Sequence, residues 1–314
     1  MILVDNRGSH DPRINLALEE FIVRNRDQGD YLLLYVNDPV VVIGKHQNPL
    51  DEVNFRYARE EGIPVLRRIS GGGAVYHDRG NLNFSCITSH TPERHNNYAP
   101  FVAPVLSLLE SFGVEAKLNN RNSLVLNDGR KFSGNAQFAS RGRMLSHGTL
   151  LFESDLDRLT RVLDPDIQTE ESRGVPSIRS RVVNLDAVLP STITLDSLTA
   201  SLLEAFAGEN PVVEDLTREE WREVEELARS KYDSWEWNTG RTPRFLVHHN
   251  LGDAGRLKVK VKDGLIIEVD VEKGNASLRS WARDLPGRRY SHDFFAEELR
   301  KIEEEITPQP GERE

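Results

Sequence analysis

The stretch that most constrains this chain is residues 67–83, RRISGGGAVYHDRGNLN, in which three consecutive glycines follow two arginines. Glycine weakens strands and helices, but it permits positive φ and lets another group approach the backbone closely. Arginines are fixed cations that recognise phosphate or carboxylate. The pattern therefore predicts a strand, a tight turn that cradles a ligand, and a second strand. An ordinary hairpin needs one or two glycines and no arginine pair, so we favour the ligand-binding interpretation.

Two common nucleotide-binding motifs are missing from this stretch. A P-loop would place Lys and then Ser or Thr directly after its last glycine, where this chain has Ala74 and Val75. The GxGxxG spacing of dinucleotide-binding folds is also absent. The stretch therefore gives little support to either of those folds.

Apolar periodicity predicts helices and strands along the first three quarters of the chain. The predicted helices begin at Pro12 or span residues 53–62, 101–112, 194–207 and 217–228. The predicted strands span residues 31–36, 40–44 and 144–152, and a hairpin has its turn at residues 127–129, Asn-Asp-Gly.

The pattern changes after residue 243. Alternating apolar and charged residues over 257–271, with an Asp-Gly turn at 263–264, predict another hairpin. An amphipathic helix is predicted over 294–306, and the Pro- and Glu-rich tail after Thr307 is predicted to be disordered. We therefore expect two domains, residues 1–243 and residues 244–314.

Composition excludes several classes of protein. The 50 acidic and 40 basic residues give a net charge of −10, which argues against a general nucleic-acid binder. One cysteine rules out a disulfide framework and a CxxC zinc site, and it fits a reducing cytoplasm. Neither a signal peptide nor an apolar run long enough to span a membrane is visible. We expect a cytoplasmic protein with no nucleic-acid or membrane partner.

Residues 67–83 resemble, nearly residue for residue, the signature of lipoate–protein ligases, members of the biotin/lipoate ligase superfamily. Further runs similar to motifs of that family are NLALEE at 15–20, GKHQNP at 44–49, KFSGNA at 131–136, HGTLL at 147–151 and SIRSRVVN at 177–184. The resemblance implies an α/β (α+β) fold. A large lipoate- and ATP-binding domain with a mixed β-sheet flanked by helices would be followed by a small α+β C-terminal accessory domain.

The resemblance also implies an ATP-dependent ligase that works in two steps. The lipoate carboxylate attacks the α-phosphate of ATP, and a lysine of an acceptor protein then attacks the lipoyl-adenylate. The implied small molecules are lipoate, ATP and Mg²⁺. The implied partners are apo lipoyl-domain proteins, such as 2-oxo acid dehydrogenase acyltransferase subunits or the glycine cleavage H protein. No enzyme nucleophile is required, so the protein must position two anions and neutralise charge.

Site residues follow from the same resemblance. Lys131 is the expected catalytic charge, touching both the lipoate carboxylate and the α-phosphate. The expected ATP- and adenylate-binding residues are Arg68, Gly73, Ala74, Val75, Tyr76 and Lys131. The expected lipoate-binding residues are Ser70, Gly71, Gly72, Lys131, Ala136 and His147. The expected orienting residues are His77, Asn81, Asn83 and Asn122. No side chain is assigned to a metal.

Two features of the chain bear on the mechanism. Ser123 stands after Asn122 where the family usually has Asp, which removes a carboxylate and a candidate magnesium contact near the adenylate. Related octanoyltransferases carry the acyl group on a cysteine, but residues 115–125 contain none. Cys86 is expected to be buried and inert.

Other functions stay open on the sequence alone. One is an acyl transferase that moves lipoyl or octanoyl groups between proteins, and another is a non-catalytic binder of lipoate or lipoyl-adenylate. Retention of Lys131 and Arg68 argues against the binder, and a biotin ligase is disfavoured because its arginine- and glycine-alternating loop is missing. The pattern does not choose between lipoate and octanoate, nor between an acceptor-facing and a plain surface role for Arg179 and Arg181.

Overall fold

The structure, a computed structural model, describes residues 1–250 and 255–291. Its strands in chain order are β1 (Ile2–Val4), β2 (Tyr31–Val36), β3 (Val40–Ile43), β4 (Val65–Arg67), β5 (Val75–His77), β6 (Asn81–Ser89), β7 (Ala116–Leu118), β8 (Ser123–Leu126), β9 (Lys131–Ser140), β10 (Arg143–Leu151), β11 (Thr169–Glu170), β12 (Val213–Glu214), β13 (Phe245–Asn250), β14 (Gly255–Lys262) and β15 (Leu265–Gly274). Its α-helices are α1 (Pro12–Asn25), α2 (Phe55–Glu60), α3 (Ala99–Ser111), α4 (Leu156–Val162), α5 (Leu195–Ala207), α6 (Arg218–Leu227), α7 (Trp235–Asn238) and α8 (Ala276–Arg283). A 3₁₀ turn spans Pro49–Asp51, and a π-helical turn spans Ala228–Tyr232.

The largest sheet has eight strands in the order β12-β1-β2-β6-β10-β9-β8-β7. β1 runs parallel to β12 and β2, whereas the pairs from β2 to β7 are antiparallel, so the sheet is mixed. The β2 sequence YLLLYV is apolar throughout because helices cover both faces. Leu33 packs in the core shared with α1 and α6, and Leu34 packs against the core that contains α3 and α5.

Three of the predicted helices carry recognisable end signals. The Asp11 side chain accepts from the backbone N–H of Arg13, and Pro12 opens α1. Thr217 and Glu220 form the expected capping box of α6, and Gly208 ends α5 with φ +83°. The fold-class prediction, mixed α/β with a large sheet flanked by helices, is confirmed. In the described residues, none of the helices has the length and apolarity needed to cross a bilayer.

A separate three-stranded sheet has the order β4-β3-β5 and corrects one expectation. The strands on either side of the glycines, β4 and β5, do not pair with each other, since β3 lies between them. β2 and β3 also lie in different sheets, although only residues 37–39 separate them. The glycine loop, defined here as residues 68–74, therefore crosses the end of β3 instead of closing a hairpin.

The third sheet lies in the C-terminal part and has the order β11-β13-β14-β15. The predicted hairpin is present as β14 and β15, whereas β13 and α8 were not predicted. β11 comes from inside residues 1–243, so this sheet spans the expected domain boundary, which stays a prediction. The helix predicted at 294–306 and the tail after Thr307 lie outside the described residues.

Candidate active site

A cavity of about 520 Å³ lies beside the glycine loop. Its walls come from that loop, from β9 and β10, from the turn at residues 120–123, and from residues 175–180. The last group belongs to an extended segment, residues 172–182, which we call the strap. The cavity thus joins segments that are far apart in sequence.

Arg68 holds the glycine loop in shape. Its guanidinium donates to the carbonyl oxygens of Val42, Gly71 and Gly73 at 3.0, 2.5 and 2.8 Å, and to Ser70 Oγ at 2.9 Å. Burial lowers the pKa of Arg68 to about 10, so the side chain remains a cation at neutral pH. It also lines the cavity, and its predicted role toward phosphate stays a prediction.

Arg67, by contrast, does not face a ligand. Its buried guanidinium donates to backbone carbonyl oxygens of Gly44, Lys45 and Gln47, and to those of Trp237 and Asn238. The GKHQNP run at 44–49, which resembles a family motif, lies behind the glycine loop and contributes no lining residue to the cavity. Arg67 therefore holds the loop at residues 44–47, and Arg68 holds the glycine loop.

The backbones of these two loops nearly touch. A Cβ added to Gly44 would come within 2.1 Å of the Gly72 carbonyl oxygen, so only glycine fits at this crossing. Gly72 has φ +87°, a conformation that side chains other than glycine rarely adopt. The glycines at 44 and 72 are thus required by close approach and by backbone shape respectively.

Lys131 begins β9 and points into the cavity. Its ammonium lies near Gly134, where an added Cβ would come within 3.1 Å of Nζ. Burial, and then the neighbouring Arg68, lowers the pKa of Lys131. Within residues 1–250 and 255–291, the ammonium has neither a hydrogen-bond acceptor nor an ion-pair partner. It is therefore free to meet an anion.

The predicted orienting residues form buried amide and imidazole contacts. Asn37 Nδ2 donates to His77 Nδ1 at 3.0 Å, and burial followed by the nearby Arg68 lowers the His77 pKa to about 3, so the ring is neutral. Asn81 donates to Asn83 Oδ1 at 3.1 Å, and Asn83 donates to the Tyr35 carbonyl at 3.2 Å. Asn122, with φ +59°, presents its carbonyl to Asn135.

Most of the predicted site residues line the cavity, and three do not. Those that line it are Arg68, Gly71, Gly72, Gly73, Ala74, Val75, His77, Asn83, Asn122, Lys131, Ala136 and His147. Ser70 belongs to the glycine loop, but its buried hydroxyl contacts His147 Nε2 and does not line the cavity. The Asn81 side chain lies behind that of Asn83, to which it donates. Side chains alternate along β5, so Val75 and His77 face the cavity while the Tyr76 ring packs in another cluster with Val41. Its expected role was to line the nucleotide with backbone groups, and that role stays a prediction.

The strap is the part of the site that the sequence least revealed. Ser177 Oγ accepts from the Ala74 backbone N–H at 2.8 Å and from Gln47 Nε2 at 3.0 Å. The Ser177 N–H donates to Glu52, whose pKa burial raises. The strap therefore fastens the end of the glycine loop. The SIRSRVVN resemblance marked this segment, but nothing in the pattern singled out Ser177.

Arg179 and Arg181, two of the three arginines of the strap, have different contacts. Arg179 pairs with Asp164 at 2.9 Å, and both side chains are exposed. The Arg181 backbone carbonyl accepts from the Lys131 N–H at 2.8 Å, which ties the strap to the start of β9. The side chains lie at the surface, and an acceptor-facing role for them stays untested.

The charge of the cavity favours anions. Its lining includes Arg68, Lys131 and Arg121 but no Asp or Glu. Mg²⁺ prefers carboxylate oxygens, and the described residues contain no cluster of three or more His, Cys, Asp or Glu suited to a metal. The lining thus does not fit a magnesium ion held by protein carboxylates.

Comparison with known proteins gives consistent results. Residues 11–207 match the model of the lipoyl protein ligase A/B catalytic domain. The chain is 40% identical to lipoate-protein ligase LplJ of Bacillus subtilis, covering 96% of this chain and 94% of that protein. It is also 40% identical to lipoate–protein ligase 1 of Staphylococcus aureus, covering 78% of this chain and 75% of that protein.

Solved structures agree with the sequence relatives. A lipoate-protein ligase A bound with ATP has a TM-score of 0.64 and 28% identity, covering 76% of this chain and 96% of its own. A putative lipoate protein ligase from T. acidophilum with bound lipoic acid has a TM-score of 0.63 and 27% identity, covering 76% and 97%. A bipartite ligase from the same organism, described with its E2 lipoyl domain, has a TM-score of 0.63 and 29% identity, covering 76% and 95%.

The chain therefore belongs to the lipoyl protein ligase A/B family. Within it, the expected activity is confirmed: this is an ATP-dependent lipoate–protein ligase, which activates lipoate and transfers it to a lysine of an acceptor protein. Ligases of this kind act on lipoyl-domain proteins.

Proposed function

We propose that Lys131 is the residue that joins the two anions of the first half-reaction. The observation that carries this proposal is its unpaired ammonium in a cavity lined by cations and by no carboxylate. Two negatively charged substrates, a carboxylate and a triphosphate, repel each other, and a cation between them offsets that repulsion. We therefore assign this bridging charge to Lys131.

The activation of lipoate needs no base from the protein, and neither step needs a nucleophile from it. The lipoate carboxylate is ionised at neutral pH and attacks the α-phosphorus of ATP, forming the mixed anhydride and releasing pyrophosphate. The acceptor lysine, as its neutral amine, then attacks the lipoyl carbonyl, AMP leaves, and the proton released from the nitrogen passes to solvent. In both steps the protein contributes position and positive charge.

The walls of the cavity divide between the two parts of the adenylate. We assign the nucleotide to the backbone of residues 73–75, supported by the strap. The acyl chain fits the apolar wall formed by Leu16, Val42, Val75 and Ala136. Asn122 and Ser123 line the cavity and offer no carboxylate, so we propose that magnesium enters with the ATP phosphates.

For the acceptors we propose apo lipoyl domains of 2-oxo acid dehydrogenase acyltransferase subunits or the glycine cleavage H protein, in the cytoplasm. The structure of a related ligase with its E2 lipoyl domain supports the first choice. A thioester route is disfavoured because Cys86 is 1% exposed and does not line the cavity.

The test is mass spectrometry of an apo lipoyl domain after incubation with this protein, lipoate, ATP and Mg²⁺. We expect a gain of one lipoyl group that requires ATP. A gain without ATP when a lipoylated donor protein replaces free lipoate would instead indicate transfer between proteins, and no gain with either candidate acceptor would contradict the proposed partners.

A further inference from the structure

A buried carboxylate lies behind the cavity wall and was not among the predicted site residues. Glu19 of α1 is 1% exposed and accepts hydrogen bonds from three adjacent strands. Tyr35 Oη of β2 donates at 2.9 Å, Ser85 Oγ of β6 donates at closer range, and His147 Nδ1 of β10 lies 3.1 Å away. Tyr35 and His147 themselves line the cavity.

From Glu19 a continuous chain of contacts reaches the glycine loop. An ionised carboxylate only accepts, so His147 donates to it through Nδ1, and the other ring nitrogen, Nε2, faces Ser70. Ser70 Oγ lies 2.7 Å from that Nε2 and accepts from Arg68 Nε at 2.9 Å. Arg68 in turn holds the carbonyl oxygens of Gly71 and Gly73.

Charge balance explains why these contacts link Glu19 to the glycine loop. Arg68 is a buried cation that no carboxylate of the described residues contacts directly, and such a charge is costly unless it is compensated. Burial would raise the Glu19 pKa, but the facing His147 and the donors Ser85 and Tyr35 outweigh it and hold the pKa below its ordinary value. Glu19 is therefore the anion that balances Arg68 across two hydrogen-bonded groups.

We propose that Glu19 is a positioning residue for the adenylation step, acting through His147 and Ser70 to fix the glycine loop around Arg68. This inference rests on the proposed function, since it takes the loop to hold the adenylate. The Ser70 hydroxyl is fully buried and does not line the cavity, so the Ser–His–Glu arrangement orients the loop and supplies no nucleophile.

The next residue of α1 provides a matched control. Glu20 is also 1% exposed, but it accepts from Lys231, Tyr232 and Arg24, away from the cavity. Glu19→Gln and Glu20→Gln remove the same charge from neighbouring buried positions. Only the first change breaks the chain to the loop.

Lipoate-dependent ATP–pyrophosphate exchange measures the step. For Glu19→Gln we expect kcat to fall about tenfold or more, while the KM for lipoate and ATP changes less, because misplacement of reacting groups slows chemistry more than binding. Glu20→Gln should keep the wild-type kcat. Equal effects of the two variants, or a normal kcat for folded Glu19→Gln, would overturn the positioning role. Absence of exchange in the wild-type protein would overturn the proposed function instead.

A double-mutant cycle with Ser70→Ala separates positioning from general destabilisation. If Glu19 acts through Ser70, Glu19→Gln should cost little further activity once Ser70 is alanine. If the two substitutions reduced kcat independently, so that their fold-losses multiplied in the double variant, the proposal would be contradicted. Glu19→Asp, which keeps the buried charge but withdraws it from His147, serves in the same cycle if the Gln variant does not fold.

Discussion

Three cations of this chain lie close together, and their partners separate their roles. Arg67 gives its hydrogen bonds to the backbone of two loops, and Arg68 gives its hydrogen bonds to the glycine loop. The Lys131 ammonium alone of the three lacks an acceptor among the described residues. A cation whose hydrogen-bond donors all have acceptors shapes the protein. A cation whose donors lack acceptors can bind an anion and stabilise a transition state.

Replacement of Lys131 by alanine should therefore abolish adenylation and spare the fold. Loss of one transition-state charge contact of this kind costs about 3 kcal/mol, or roughly a hundredfold in rate. The matched control is Lys117→Ala, an exposed lysine on β7 of the same sheet. ATP–pyrophosphate exchange close to wild type in Lys131→Ala would remove this lysine from the mechanism.

Replacement of Cys86 by alanine should leave both half-reactions within about twofold of wild type. The thiol packs against Leu32 and Met144, and burial raises its pKa to about 12, so almost no thiolate forms at neutral pH. We expect a loss of about 1 kcal/mol in the free energy of unfolding, from the lost packing. Lipoyl transfer that disappears while the melting temperature holds would reopen a thioester route.

At the residue scale, sequence revealed which residues matter more readily than what they touch. The glycines and Lys131 stood out because their types are costly without a ligand. The hydrogen-bond partners of Arg67 depend on where residues 237–238 lie, and the surroundings of the Tyr76 side chain depend on where β3 lies. No local sequence pattern encodes either position. Glu19 read as an ordinary helix residue, since its partners come from β2, β6 and β10.

At the scale of elements, α1 joins the active site to the outer helices. Glu19 faces the sheet, and Glu20 faces the π-helical turn, where Lys231 Nζ lies 2.6 Å from its carboxylate. The two side chains lie on neighbouring positions of one helix and so point in different directions. One helix thus carries a contact for function beside a contact for stability.

The Glu20 contact predicts a pH-dependent stability. Burial opposes ionisation, but Lys231 and Tyr232 outweigh it and lower the Glu20 pKa below 4.5, so the stabilisation is complete above pH 4.5 and is lost as pH falls through the folded-state pKa. Glu20→Gln should lower the free energy of unfolding by about 3 kcal/mol at neutral pH. In denaturant titrations that deficit should shrink below pH 4.5, and a deficit independent of pH would contradict the ion pair.

At the scale of the whole molecule, the C-terminal sheet and the active site share one connecting segment. β11 pairs with β13, and the backbone N–H of Arg173, within the strap, donates to the Arg244 carbonyl at 3.0 Å. Leu50 and Ile167 pack in the same core as Phe245 and Val247. The C-terminal part therefore supports the strap from outside the cavity.

A protein truncated after residue 243 should make lipoyl-adenylate poorly but still transfer lipoate from added lipoyl-adenylate. The strap loses its support at β13, whereas the glycine loop and Lys131 remain. Both half-reactions are to be assayed on protein shown to be folded by its thermal transition. Full adenylation by the fragment would contradict the idea, and so would failure to use the supplied intermediate.

The same scale shows the limit of sequence reasoning. Helices such as α1 and α6 carry caps and periodic apolar residues, so their positions were predictable. β3 lies between β4 and β5, and β11 lies beside β13, through pairing between distant segments. The sequence of a single strand does not indicate which strand it pairs with. Resemblance to a family supplied the fold where local patterns could not.

The crossing of the glycine loop over β3 limits how this binding site could be moved by protein engineering. Neighbouring strands are about 4.8 Å apart, so the two ends of the loop stand about 10 Å apart on opposite sides of a third strand. A host scaffold that offers an ordinary two-stranded hairpin would hold those ends at half the required separation. A successful graft would need three strands, with the middle one ending in a glycine equivalent to Gly44 to leave room for the Gly72 carbonyl.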